Sequence, residues 1–424
     1  MSTRRLPVRP DLDQLRHQAK DLLRAIHAAD PAALADLHQH HPRPPAPAAA
    51  KLADAQLVLA RSYEAPSWTR LVQSATLADA IWRDDRDTVR DLVTANPHLL
   101  HEHVLIRTNS NWGPPMTYAA NLGRDALIRM LHELGATDLE SAAARAALQG
   151  QVETAKMVYD MAGRPPLRPG SLGGPAYTLS AEGTALLLSL GARVRDDAGR
   201  RLAPVDVVLE TDGRKPAAKH AILEMYVAHG LELPDTPVMA LHRGRIDLLE
   251  RHLQRDPELL HRTFSHREIY PAEMGCGDPI DAVSGTPLSG TTLLHMCVEY
   301  NELAIARWLI DRGMDVNLRA AVGASGFGGY TPLFNTVVSQ PNFWMNHRGR
   351  GPFTAPFAEL LLEHGADPNL RASIWKQLGP GHDSTTTRHE YRDVTPLSWG
   401  RRFHAPIFVS EPAMQLIAAA GGRE

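Results

Sequence analysis

Thr292-Leu293-Leu294-His295, followed by Gly313-Met314-Asp315-Val316-Asn317, is the stretch from which the rest of the chain is read. Its threonine and glycine stand 21 residues apart, and so do Pro114 and Gly135 in Pro114-Pro115-Met116-Thr117-Tyr118-Ala119-Ala120 … Gly135-Ala136. Thr331-Pro332-Leu333 with Gly365-Ala366-Asp367-Pro368-Asn369, and Thr395-Pro396-Leu397 with Gly421-Gly422, are further copies. Asp87 to His101 parallels Asp247 to His261, each an amphipathic run closed by a residue-proline stop. A chain that repeats in this way stacks small units, each touching mainly its neighbours.

The pattern resembles the ankyrin repeat, whose unit of about 33 residues is a turn and two helices with a T-P-L-H-x-A signature. The resemblance covers about residues 76–424, most clearly from 290 onward and at 113–138, with Ala-rich or weak copies near Ser141–Gly163, Gly191-Ala192 and Ala203–Gly230. It implies an all-α solenoid of helix pairs with short β-hairpin fingers. It also implies that His295 bonds neighbouring backbone to hold its turn, and that Cys297 is a packed core thiol. Family membership implies a protein-interaction scaffold working through the concave face and the finger loops.

In front of the repeats, Leu12, Leu15, Ala19, Leu22, Leu23 and Ile26 fall at helical spacing behind Asp11, a plausible cap. Asp30-Pro31 starts a second helix, Pro42-Arg43-Pro44-Pro45-Ala46-Pro47 breaks regular structure, Leu52 to Tyr63 forms a third, and Pro66-Ser67-Trp68 opens a fourth. This segment is similar to the helical lead-in of many bacterial ankyrin proteins and is expected to cap the open end of the stack. The expected organisation is a helical cap over 1–74, divergent repeats over 75–262, and repeats with long insertions over 263–424.

The 424 residues are 43% hydrophobic, ample for a packed core, and a net charge of −3 gives no global attraction to nucleic acid or to an anionic membrane. Only Cys276 and Cys297 occur, so no disulfide framework is expected. No signal peptide or spanning run can be read, and a cytoplasmic location is expected.

The insertions carry the candidate chemistry. Residues 263–289, 321–330 and 373–392 fall in successive fingers and are expected to converge on one edge. A fourth, Gln340 to Pro352, lengthens the threonine-to-glycine interval to 34 residues and is expected as a loop between the two helices of one unit. Arg267, Glu268, Tyr270, Asp278, His389, Tyr391 and Arg392 are the candidate polar site on the fingers. Phe343, Trp344 and Arg348 form the candidate aromatic and basic patch, because tryptophan, tyrosine and arginine dominate binding hot spots; the competing reading buries Trp344 under its own loop. Gly323 to Gly329 reads as a hairpin rather than a phosphate cradle, since it lacks the P-loop lysine and spacing. The histidine groups His101-Glu102-His103, His38 with His40 and His41, and His382-Asp383 have no zinc-site spacing, and no metal or cofactor is expected. Cys276, in an insertion, is expected to be accessible. No catalytic motif is present, so a protein partner is the expected ligand. The alternative is an enzyme or small-molecule receptor whose polar site is built from the three finger insertions.

Overall fold

The computed structural model describes residues 4–107, 110–277, 285–379, 381–383 and 386–424. By internal contacts the chain divides into two compact units, residues 1–174 with 189–191, and 175–188 with 192–424. Each has its own core.

The first unit begins with α1 (Leu12–His27), α2 (Pro31–His40) and α3 (Leu52–Ser62). The carboxylates of Asp11 and Asp30 accept the amides of Gln14 and Ala33, so both helices start where the cap residues put them. Leu15, Ala19, Leu22 and Ile26 are buried in a cluster with Val58 and Leu59, and Leu12 and Leu23 pack half-buried against it. Ser67 caps α4 (Trp68–Trp82), which runs unbroken across residues 74 and 75. Pairs then follow: α4 with α5 (Arg86–Ala95), α6 (Pro115–Asn121) with α7 (Asp125–Glu133), and α8 (Leu139–Leu148) with α9 (Val152–Met161). The first helices α4, α6 and α8 pack in one row, and α5 packs on α7 in a second.

After α10 (Gly173–Thr178) and α11 (Ala181–Ser189), the second unit continues the scheme with α12 (Val205–Glu210) and α13 (Pro216–Ala228), then α14 (Pro237–His242) and α15 (Ile246–Arg255). A short α16 (His266–Ile269) lies in the first insertion. The last units are α17 (Leu293–Tyr300) with α18 (Leu303–Asp311), α19 (Pro332–Val337) with α21 (Pro356–Glu363), and α22 (Pro396–Arg402) with α23 (Glu411–Ala419). First helices α14, α17, α19 and α22 form one row, and second helices α18, α21 and α23 the other. This is the all-α repeat fold expected from the sequence.

Two side-chain devices explain why the motif residues recur. His295 is wholly buried at the start of α17; its Nδ1 lies 2.9 Å from Thr292 Oγ1 and its Nε2 3.0 Å from the Tyr330 carbonyl. The carbonyl can only accept, so Nε2 carries the proton and Nδ1 accepts from the threonine hydroxyl. One neutral imidazole thus closes its own turn and ties it to the next unit. Burial pushes its pKa down to about 4. The asparagines closing Gly-x-Asp-x-Asn bridge units as well. Asn317 donates to Gly365 O at 3.0 Å and accepts from Asp367 N at 2.8 Å, and Asn369 repeats the pattern with Gly421 O at 3.1 Å and Arg423 N at 2.8 Å.

The insertion expected as a loop at 340–352 departs from the sequence reading. Its first half is a helix, α20 (Gln340–His347), capped by Ser339 and carrying Pro341 in its first turn. A serine cap followed by proline at the helix start is a start signal in its own right.

Leu294 has no exposed surface. Leu294→Ala is expected to cost about 2–5 kcal/mol in chemical denaturation, while Val322→Ala, at a position 63% exposed, leaves stability unchanged. Equal midpoints for the two variants would contradict the packing described.

A second expectation concerns pH. An unfolded histidine takes up a proton near pH ~6.5, whereas folded His295 does not until about pH 4. The contribution of this residue to stability is therefore constant above ~6.5 and declines as pH falls through that window. In an NMR titration its imidazole should hold neutral-form shifts at mildly acidic pH. A midpoint near the ordinary histidine value would show that the ring is solvated.

Candidate functional site

The first finger does not project as a free loop. Its base is pinned where Phe264 N donates to Thr291 O at 2.8 Å and Gly290 N to Phe264 O at 2.7 Å. From there its described residues lie across the C-terminal ends of successive first helices. Gly277 N donates to Glu210 Oε1 at the end of α12, and the Ile269 carbonyl accepts from His242 Nε2 at the end of α14. The Tyr270 hydroxyl bonds the Tyr300 hydroxyl at the end of α17. On the returning segment, Thr286 Oγ1 donates to Val338 O just past α19 and accepts from Trp399 Nε1 of α22 at 3.4 Å. Gly285 lies so close there that a Cβ would stand 2.6 Å from Ser339 backbone atoms. The finger therefore covers the C-terminal ends of these helices with the chain's own residues. Tyr270 is buried as a consequence, not displayed.

Beneath this finger runs a buried polar seam. Glu299, wholly buried, accepts from Gln340 N at 3.2 Å and pairs with Arg214 at 3.5 Å. Arg214 also donates to the carbonyls of Thr211, Gly213 and Glu299. Lys219 sits 3.3 Å from Glu302 and 4.3 Å from the Tyr300 ring centroid, and His220 bonds Glu302 at 2.8 Å. Burial raises the Glu299 carboxyl to about 7, opposed by Arg214, and pushes Lys219 and His242 down. Perturbed groups of this kind mark functional sites in many proteins. Here they are packed against each other, and the seam acts as an internal clamp.

The sequence-selected residues fall into separate groups. Glu268 accepts from Ser265 N and Oγ at 2.8 Å in a capping box and pairs with Arg262; Arg267 donates to the carbonyls of Cys276 and Gly277. Both line a cleft of about 330 Å³ with Asp235, His252, Arg255 and Glu273. Asp278 lies outside the described residues. Phe343 stacks on Phe408 at 4.7 Å, with His382 edge-on to both rings. Trp344 is half-buried and donates to the Asp212 carbonyl at 2.6 Å, while exposed Arg348 lies over its ring. The aromatic pair thus folds back onto the protein, against the loop before α13 and the segment before α23.

The second finger is a hairpin whose glycine amides are spent on carbonyls: Gly323 N on Phe327 O, Gly326 N on Gly323 O, Gly329 N on Ala320 O. Gly328 donates to Ser373 O across to the third finger, with φ +131° and room for no Cβ, since one would meet Ala321 O at 2.1 Å. Those amides leave nothing to cradle a phosphate. The third finger pairs β1 (Ala372–Lys376) with β2 (His389–Val394) antiparallel, Trp375 opposite Glu390 and Lys376 opposite His389. Arg392 stacks over Phe327 at 4.4 Å, and Arg388 over Phe327 at 5.1 Å and Trp375 at 4.6 Å. Glu390 pairs with both arginines.

His389 belongs to a second cluster on this finger. Its Nε2 lies 2.9 Å from Asp383 Oδ1, and His404 Nε2 lies 3.1 Å from Asp383 Oδ2. The two imidazoles stack at 3.5 Å, inclined by 7°. Tyr391 Oη meets His404 Nδ1 at 2.7 Å, and Leu378 N donates to Asp383 Oδ2 at 2.6 Å. Sequence reading selected His389 and Tyr391 but grouped Asp383 with His382 and left His404 out. Only hairpin pairing brings the four together, so spacing gave no signal. Arg214, Glu299 and Lys219 were likewise missed, since each is an ordinary helix or loop residue until burial is known.

Residues 289–321 match the family model of the ankyrin repeat. No curated protein matches the chain. Among solved structures it is similar to the ankyrin repeat domain of human ASB11, at 14% identity over 73% of this chain and 99% of that one, with a TM-score of 0.26. It is also similar to the ankyrin repeat domain of Bcl-3, at 17% identity over 81% and 97%, with a TM-score of 0.19. Scores this low establish no shared three-dimensional arrangement. No helix among the described residues is long and apolar enough to cross a membrane.

Cys276, expected to be accessible, is buried within the first finger beside Glu210 and Asp206, and its thiol is pushed up to about 12 by burial and those carboxylates. Cys297 is wholly buried and raised too. Both thiols should react with a disulfide reagent only on unfolding. Rapid modification of the native protein would show that the first finger lifts off the helices.

Proposed function

We propose that the second unit binds a protein partner through the outer edge of its second and third fingers. The observation behind this reading is the platform of Phe327 and Trp375 with the exposed guanidinium groups of Arg388 and Arg392 stacked on it. Stacked arginine is pre-ordered and weakly hydrated, which suits it to a partner's carboxylates, and two arginines share the single Glu390. The hairpin backbone beneath them is held by cross-finger hydrogen bonds, so little order has to be gained on binding. The C-terminal ends of the first helices, part of the other surface an ankyrin resemblance would offer, are occupied by the first finger. The ankyrin match of residues 289–321 agrees with a binding role.

The alternative, an enzyme or small-molecule receptor with one polar site shared by the three fingers, draws no support from the geometry. Arg267 and Glu268 bond within the first finger, Tyr270 is buried, and His389, Tyr391 and Arg392 bond within the third finger and to its neighbours Phe327 and His404.

Arg388→Ala with Arg392→Ala should weaken partner capture from an extract of the source cells about 10-fold or more. Glu363→Ala, on the exposed side of α21, should leave capture unchanged. Undiminished capture by the folded arginine variant would exclude this edge as the binding surface.

A further inference from the structure

We propose that Asp383, His389 and His404 form a binding site for a divalent transition-metal ion, Zn²⁺ by donor chemistry. The three side chains come from the turn of the third finger, the start of β2 and the segment after α22, and each offers one donor atom, all within 4.8 Å of one another. His389 Nε2 lies 2.9 Å from one oxygen of Asp383 and His404 Nε2 3.1 Å from the other, so the donors are already gathered to within a small shift of the edge of about 3.3 Å of a tetrahedral zinc site. Two imidazoles with one carboxylate select zinc and its first-row neighbours over calcium or magnesium, which take oxygen ligands.

The surroundings orient the donors. The Leu378 amide holds the carboxylate by Oδ2, and Tyr391 Oη holds the second ring nitrogen of His404. That outer hydrogen bond fixes the tautomer of a metal-bound histidine. Without an ion, each Nε2 presents its hydrogen to one carboxylate oxygen. On binding, His404 moves its proton to Nδ1 and donates to the tyrosine oxygen, His389 turns its lone pair inward, and the stacked rings hinge apart around the ion. The Asp383 side chain is 3% exposed and that of His389 is 30%, so the site has a dry anchor and a solvent-facing side at which water completes the coordination. The ion joins strand, turn and repeat end, and so stiffens the finger that carries Arg388 and Arg392.

The test uses the full chain, stripped with chelator and titrated with ZnCl₂ by calorimetry, with Co²⁺ absorption reporting the ligand geometry. One ion per chain and a raised melting temperature are expected. His389→Ala and His404→Ala should abolish binding. Tyr391→Phe, which keeps the ligands and removes the outer hydrogen bond, should weaken it about 10-fold. His261→Ala, an exposed histidine elsewhere, should bind as the wild type does. His389 is half-exposed at a strand end, so its alanine variant keeps the fold and decides the matter even if His404→Ala unfolds. No zinc binding by the wild type would overturn the proposal. So would binding unchanged in His389→Ala, which would put the ion elsewhere among the 21 histidines.

Discussion

A carboxylate with no solvent exposure is the constraint around which the second unit is arranged. Glu299 lies in the last turn of α17, where burial favours its neutral form and Arg214 and the Gln340 amide favour the charged one. Removing one partner from a buried pair typically costs about 3–5 kcal/mol, because the other charge is left stranded. The same arginine is committed to three carbonyls, so one guanidinium fixes the 211–214 loop and the end of α17, and the Glu299 carboxylate beside it holds the start of α20. Trp344, one turn along α20, closes the circuit on the Asp212 carbonyl. The inserted helix is thus part of the framework.

Repeat arrays are held mainly by neighbour-to-neighbour contact. The first finger breaks that rule. Its described residues touch the ends of α12, α14, α17 and α19 and Trp399 within α22, so units far apart in sequence share one strap. Damage to one unit is carried to the others through it, and the second unit should melt as a block rather than fray from one end. The same strap occupies the C-terminal ends of the first helices, while Arg388 and Arg392 stay exposed at the outer finger edge.

Local chemistry was legible wherever a residue acts on its own neighbourhood. Asp11, Asp30 and Ser67 announce their helices because a cap bonds an amide three residues on, and Thr292 with His295 announces its turn for the same reason. Ser339 with Pro341 announced α20 as clearly, but the threonine-to-glycine interval registered it only as added length.

By itself, then, the sequence determined the periodic order of helix pairs and the turns that join them, because these depend on separations of a few residues or of one repeat. The tertiary structure decided which polar residues are buried and which meet. Asp383, His389 and His404 share a site only because β1 and β2 pair and Tyr391 reaches back to the end of α22. Tyr270 and Cys276 are hidden, and Arg388 and Arg392 displayed, because one insertion folds inward along the helix ends while the other two stay at the edge. The direction a loop takes is set by the long-range partners waiting for it.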